Sequence, residues 1–198
     1  MAFQDQVEDL TSLSVSDTGE LSQFLKDGVI DVTSRWLAIK PQDAGMFMRI
    51  SSESTSQAGI SAPSTKVISV IRESGTNDDW RSCRQISPDL QSMVVDVDSL
   101  HYASKFNPAY FVSEEGAILV FPAPASGGAD SYKVYYVNAE AKDQTNNAAL
   151  IHSHSDIKYF PADKVYLVSI YAGIKSLQAN LGAMDISTFS LSASAPVS

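Results

Sequence analysis

The segment DKVYLVSIYAGIKSLQANLGAM, residues 163 to 184, most constrains the fold, because it predicts a long helix that is apolar on nearly all sides. A helix that covers one side of a sheet needs an apolar stripe only about 100° wide. The apolar side chains of the first turns surround the axis more fully than that: Val165, Leu167, Val168, Ile170, Tyr171, Ala172 and Ile174. Such a helix needs packing partners on more than one side.

A second long helix is predicted near the N-terminus. Asp17 is a good N-cap, and Glu20 follows at the spacing of a capping box. Apolar residues then recur at steps of three and four, which is typical of one helix face: Leu21, Phe24, Leu25, Val29, Val32, Trp36 and Ile39. Pro41 disfavours helical geometry at Lys40 and ends the helix. We expect this stripe, with Trp36, to pack antiparallel against the terminal helix.

The chain between these helices has the pattern of antiparallel strands. Short runs rich in Val, Ile, Tyr and Phe alternate with turn residues in MFMRISS, KVISVIRESG, WRSCRQIS, AYFVSEEGAILVFPAP and YKVYYVNAEA. The fold class predicted is α+β, with two long packed helices and an inserted antiparallel β-rich domain. The predicted divisions are a helical segment 1–41, a β-rich insert 42–150, a helix-bearing segment 151–184 and a flexible tail 185–198.

Composition excludes several classes of function. The chain has 23 acidic and 14 basic residues, a formal net charge of −9, whereas nucleic-acid binding needs clustered cations. The N-terminus shows no signal-peptide pattern, and the longest apolar stretch is about half of what spans a bilayer. The single cysteine, Cys83, excludes an intrachain disulfide. We expect a soluble protein with no membrane association.

The sequence contains two groups of potential metal ligands. His152, His154 and Asp156 alternate in IHSHSD, and Asp96 and Asp98 alternate in VVDVDSL. Imidazoles with carboxylates can bind zinc or iron, and paired carboxylates can bind divalent cations. Neither spacing matches a specific motif, so a polar loop and the outer face of a strand are the preferred interpretations.

The sequence contains no pattern that supports nucleophilic catalysis. Cys83 lies between Arg81 and Arg84, which could lower a thiol pKa, but an inward strand position is the preferred interpretation. The sequence contains no nucleophile elbow, no P-loop and no G-x-G-x-x-G motif. We therefore predict no enzymatic activity, no catalytic residues, no metal and no cofactor.

The order of elements resembles virion structural proteins of tailed bacteriophages, and among them head-to-tail adaptor (connector or neck) proteins. The segments that carry the resemblance are GELSQFLKDGVIDVTSRW, VISVIRESGTNDDWRSCRQI, NPAYFVSEEGAILVFPAP and FPADKVYLVSIYAGIKSLQANL. It implies a cyclic homo-oligomeric ring of about twelve copies, located in the neck of the virion after synthesis in the host cytoplasm. It also implies contacts with the portal protein and with tail or nozzle proteins, around a channel through which DNA passes without specific binding.

The apolar excess of the terminal helix agrees with assembly, because a neighbouring copy can cover the faces that the first helix leaves open. The predicted interface residues are Trp36, Val168, Ile170, Tyr171, Ile174, Leu177 and Leu181. The small residues Ala172, Gly173, Ser176 and Ala179 would permit close helix approach. An acidic channel wall would repel passing DNA. The alternative is a β-sandwich module on the virion surface that binds a ligand, such as a carbohydrate, through Trp80, Tyr102 and Tyr110.

Overall fold

The computed structural model describes residues 1–62, 66–125, 129–138 and 140–183, with the side chain of residue 183 left out. The predicted tail 185–198 lies outside these residues. The chain divides into two compact units: Met1–Arg35 together with the chain from Glu140 onward, and Trp36–Ala139. Along the chain, the second unit is thus inserted between the two parts of the first.

Helices and strands follow the predicted order, and the fold class is mixed α+β. The described residues form the α-helices α1 (Phe3–Thr11), α2 (Thr18–Ile39), α3 (Gln91–Val95) and α4 (Val165–Ala183). They also form the strands β1 (Met48–Ile50), β2 (Val67–Glu73), β3 (Trp80–Ser82), β4 (Arg84–Gln85), β5 (Ala109–Val112), β6 (Ile118–Phe121) and β7 (Tyr132–Val137). Short 3₁₀ helices cover Pro41–Phe47, Pro88–Leu90 and Ala162–Lys164.

Helix α2 begins and ends where its sequence signals indicate. The Asp17 carboxylate accepts a hydrogen bond from the Glu20 backbone N–H at 2.9 Å, which is the interaction of an N-cap. At the other end, α2 stops at Ile39, and the following 3₁₀ helix starts at Pro41. A proline lacks the N–H that the helix would need to continue and restricts the residue before it, so the stop is local in origin.

In the first unit, α4 packs against α1 as well as α2. The Ser169 hydroxyl donates to the Gln6 side-chain oxygen at 2.8 Å, and a Cβ on Gly173 would lie 3.4 Å from a Thr11 methyl group. Positions along α1 and α4 increase together, so these two helices run parallel. The sequence predicted α2 as the partner of α4; a short helix using Phe3, Val7 and Leu10 was also expected, but it was not assigned to α4.

Helix α2 approaches α4 closely at Gly28. A Cβ built there would lie 3.0 Å from the Tyr171 ring and 3.2 Å from a Val168 methyl group, so the hydrogen of glycine permits the contact. Leu21 and Phe24 of α2 line a cavity with Ser176 and Ala179 near the end of α4. Positions in α2 rise as those in α4 fall, which is the predicted antiparallel orientation.

The prediction that Trp36 packs against the terminal helix is corrected by its position in the structure. Leu25 is fully buried, but Trp36 is half-buried and belongs to the second unit. Its indole N–H donates to the Asp43 carboxylate at 2.8 Å, and the Lys40 ammonium lies 5.1 Å from its ring centroid. The polar edge of the indole is satisfied locally, so Trp36 is an amphipathic side chain near the end of α2.

The second unit contains two sheets. Strands β1, β7, β2 and β3 form an antiparallel sheet in that order, and β4, β5 and β6 form a second sheet. The predicted hairpin joins β5 and β6, with Gly116 at φ 78° in its turn. Strand β4 pairs parallel to β5, which departs from the all-antiparallel expectation. The reason is that Ser87–Pro108 forms a long connection containing α3, which returns the chain in the same direction.

Both faces of the three-stranded sheet are covered within this unit. One apolar cluster joins the two sheets and comprises Ile60, Val70, Cys83, Tyr110, Ile118, Val120, Tyr132 and Val134. A second cluster covers the opposite face and comprises Ile86, Val94, Ala103, Ala109, Phe111 and Phe121. Val94 of α3 is fully buried in it. The alternation of apolar residues in the strands therefore serves intrachain packing on both sides.

Within the described part of the chain, no helix combines the length and the hydropathy that crossing a bilayer requires.

Candidate assembly surface

The most exposed face of α4 is apolar. Tyr166, Ile170, Ile174, Leu177 and Leu181 are spaced at steps of three and four residues, so they lie along one side of the helix. Ile174 is 51% exposed and Leu181 is 68% exposed. The opposite side, with Val168 and Ala172 at 0% exposure, packs into the first unit. The helix is thus apolar on both sides, and only one side is covered within the chain.

The predicted interface residues separate into three groups. Ile170, Ile174, Leu177 and Leu181 lie together on the exposed face. Val168 is fully buried in the subunit, so it is not available to a neighbour, while Tyr171 and Trp36 are half-buried. The small residues Ala172, Gly173 and Ser176 are buried and serve packing within the first unit. Sequence reasoning left out Tyr166, although its position four residues before Ile170 signals the same face.

Helix α1 completes this surface. Leu10 and Thr11 line a shallow groove together with Ile170, Gly173, Ile174 and Leu177 of α4. Leu10 is 58% exposed, in contrast to the buried Phe3 and Val7 on the same helix. We name this feature, defined by these six residues, the α1–α4 groove. It offers an apolar, concave extension of the exposed face of α4.

A second exposed apolar region lies in the second unit, in the connection between β4 and β5. Its exposed members are Met93, Val95, Val97, Leu100 and Phe106. The sequence suggested an alternating strand here, with Asp96 and Asp98 on its outer face. Instead α3 ends before Asp96, and the Asp98 backbone N–H donates to the Asp96 carboxylate at 3.0 Å in a turn. In the sequence, the apolar residues of this segment alternate with Asp96 and Asp98, and this alternation was the feature that could have indicated an exposed apolar segment.

The IHSHSD segment is a structural connector. The backbone carbonyls of His152 and His154 accept the N–H groups of Gln4 and Phe3 at 3.0 and 2.7 Å, which satisfies the start of α1. The His152 backbone N–H donates to the Ser22 hydroxyl at 3.0 Å, so the segment also holds α2. The His154 ring nitrogen Nδ1 accepts the Ile151 N–H at 3.2 Å. These contacts fix the segment between α1 and α2.

We predict that His152, His154 and Asp156 bind no metal. Among the residues that the structure describes, no three His, Cys, Asp or Glu side chains are grouped so as to hold a metal ion. Elemental analysis of protein purified without chelators is expected to find no stoichiometric zinc, iron or manganese. A near-equimolar metal that disappears in His152→Ala would contradict both this prediction and the prediction that the chain has no enzymatic activity.

Asp143 stabilises the loop before this segment and makes stability depend on pH. Its carboxylate accepts the Asn146 and Thr145 N–H groups at 2.9 and 3.0 Å, and the hydrogen bond from Asn146 is the main reason that its pKa is lowered. The resulting stabilisation is complete above the ordinary aspartate pKa of about 3.9, and is lost as the pH falls through the lower folded-state pKa. The free-energy difference between wild type and Asp143→Asn should therefore shrink between about pH 5 and pH 2. A difference that is constant across chemical denaturations in this range would contradict it.

The three aromatic residues of the alternative ligand site, Trp80, Tyr102 and Tyr110, differ in exposure, and Tyr102 is 38% exposed. Tyr110 is 5% exposed and lies in the core that joins the two sheets, so it is not presented to a surface ligand. Trp80 is half-buried, with the Lys133 ammonium 4.2 Å from its ring centroid. Cys83 is buried, and burial raises the pKa of its thiol to about 12, which disfavours a reactive thiolate.

No protein-family model matches this chain, and a search of the curated proteins finds no match. The assembly surface on α1 and α4 is therefore interpreted from its own geometry.

Proposed function

We propose that this chain is a structural subunit that assembles with copies of itself through the exposed face of α4. The observation that carries the proposal is the continuous apolar row of Tyr166, Ile170, Ile174, Leu177 and Leu181. Contiguous exposed apolar patches on a folded chain mark interaction sites, whereas single exposed apolar residues are ordinary. The row extends over four turns of one helix, which distinguishes it from scattered exposure.

The energetic argument is the removal of this row from water. Full burial of one large aliphatic or aromatic side chain is worth about 1.5–3 kcal/mol. These five side chains are already partly covered, so each contributes less than that range. Even so, their sum is large enough to offset part of the cost of ordering two subunits against each other. A closed ring repeats the same contact at every joint, which stabilises each subunit on two sides.

The particular setting that we propose is the neck of a tailed-phage virion. Its support is the resemblance of the segment order to head-to-tail adaptor proteins, together with the apolar face on a long helix. In that role about twelve copies would form a ring between portal and tail proteins, with α2 and α4 as its packed helices. The net charge of −9 suits a channel that DNA traverses, because acidic walls repel phosphates. The role requires no catalysis and no cofactor.

The test is the mass of the purified protein with and without a portal protein. Native mass spectrometry and negative-stain electron microscopy are expected to find rings, either of the chain alone or on a portal. A chain that stays monomeric at all concentrations and also on a portal ring would contradict the proposed function. A stable ring that binds no portal protein would support self-assembly through α4 but would contradict the proposed place between portal and tail.

A further inference from the structure

We propose that Phe106 of one copy inserts into the α1–α4 groove of the next copy, and that this contact sets the direction of assembly. The inference rests on the proposed function, because it requires that copies of the chain associate. It adds a second surface, on the second unit, that the exposed face of α4 meets in the neighbouring subunit. The argument depends on the size of the groove, the presentation of Phe106 and the charges around each.

The groove has the size and the lining that a phenyl ring needs. Its volume is about 150 Å³, and its walls are the apolar side chains Leu10, Ile170, Ile174 and Leu177 beside Gly173. An apolar protein cavity of about 150 Å³ binds benzene, so a groove of this volume matches one aromatic ring. The absence of a side chain on Gly173 leaves its floor open to that ring.

Phe106 is presented as an isolated aromatic side chain. It is 62% exposed, and the core clusters of the second unit do not include it. The Arg81 guanidinium carbon lies 5.9 Å from its ring centroid, and the Lys105 ammonium lies 5.1 Å from it. Cation–π contacts of this length restrain the ring and surround it with positive charge. Aromatic residues, including phenylalanine, and arginine are enriched at the core of protein–protein interfaces.

The α1 side of the groove carries charge of the opposite sign. The sequence before Lys26 contains no lysine or arginine, and Asp9 is exposed and directly precedes Leu10 of the groove. The charged residue of α4, Lys175, has its ammonium 5.6 Å from the ring centroid of Tyr171, on the side of α4 that faces Gly28 of α2. An exposed carboxylate on the α1 side and a phenyl ring flanked by two cations are electrostatically complementary, which favours this pairing over others. A net acidic chain needs such local pairing, because its subunits otherwise repel each other.

The same reasoning selects Phe106 over the other exposed apolar residues of its segment. Leu100 is fully exposed, but it follows Asp96 and Asp98, whose charges the acidic α1 would repel. Because Phe106 and the groove are different surfaces of one chain, the contact is heterologous. A heterologous contact forms a ring if its rotation closes and a filament if it does not.

Cysteine cross-linking tests which surfaces meet. Cys83 is buried with a raised pKa, so introduced thiols can be labelled selectively. The double variant Asn107→Cys with Gln178→Cys places exposed thiols beside Phe106 and beside Leu177. A short bismaleimide is expected to join separate chains into a ladder of covalent oligomers. The matched control, Glu114→Cys with Gln178→Cys, moves the first thiol to the hairpin turn at the far end of β5 and should give few cross-links.

Four results would overturn the inference. Equal ladders from both pairs would show that the cross-links are nonspecific, and a cross-link within single chains would show that the ring docks on its own subunit. If the double variant forms oligomers of the wild-type size but gives no cross-link, Phe106 does not take part in the contact. The proposed function would not be contradicted by that result. A wild-type chain that stays monomeric, alone and with portal, would overturn both.

Sedimentation equilibrium measures the association constant of the subunits and so tests the contribution of single side chains. Phe106→Ala is expected to weaken association by about tenfold or more, whereas Leu100→Ala should change it less than about twofold. Lys105→Glu should also weaken association, and adding Asp9→Lys to it should restore part of the loss. Circular dichroism checks that each variant is folded. Equal effects of the two alanine variants, or strictly additive losses in the charge pair, would overturn the proposed docking.

Discussion

Ile174→Asp is expected to abolish assembly while the subunit stays folded. Ile174 is 51% exposed in the subunit, so an aspartate there can be hydrated as long as the chain is monomeric. In an assembled state the same carboxylate would be buried without a partner, at a cost of several kcal/mol for each interface. Native mass spectrometry should find monomers, and circular dichroism should retain the helical signal of the wild type.

Two variants of the same helix provide controls. Asn180→Asp introduces a charge at an exposed polar position on a different side of α4 from Ile174, and it should assemble nearly as the wild type does. Ala172→Asp places the charge at a fully buried position and should unfold the subunit. Ile170→Asp and Leu177→Asp extend the test along the exposed row. If all three row variants assemble normally, or all three unfold, the intersubunit role of α4 is wrong.

Arg72→Ala is expected to lower the free energy of unfolding by about 3 kcal/mol, because it breaks a buried polar network. The Arg72 side chain is 3% exposed and contacts the Asp130 carboxylate at 3.2 Å. It also donates to the backbone carbonyls of Pro122 and Glu73, at 3.1 and 2.6 Å. Its removal leaves these acceptors without their donor. The Asp130 side chain is 25% exposed, so water can solvate part of its charge, which keeps the loss near the low end of the range for buried pairs.

Arg81→Ala is the matched control on the neighbouring strand. Arg81 also pairs with an aspartate, Asp79, at 2.9 Å, but its side chain is 46% exposed. Exposed pairs contribute about 0–1 kcal/mol, so this variant should be nearly as stable as the wild type in urea denaturation. Equal losses for the two arginines would contradict the role assigned to burial.

The elements of this fold were predictable where the signal is local. Asp17 and Pro41 mark both ends of α2, because capping and proline geometry act within a few residues. Gly116 marks the β5–β6 turn for the same reason, since its positive φ suits glycine. The excess of apolar residues on α4 also predicted an uncovered face, although not which residues form it.

The tertiary structure decided what depends on residues far apart in sequence. Pairing β7 between β1 and β2, and β4 parallel to β5, brings distant segments together, and strand periodicity does not encode neighbours.

The role of single side chains likewise depended on their partners. Val168 and Ile174 are similar apolar residues on one helix, yet contact with α1 and α2 buries the first and leaves the second exposed. The sequence determined that α4 has more apolar surface than one partner can cover. Only the packing of α1 and α2 against it decided which side remains for another molecule, because burial is a property of the assembled surfaces and not of the residue type.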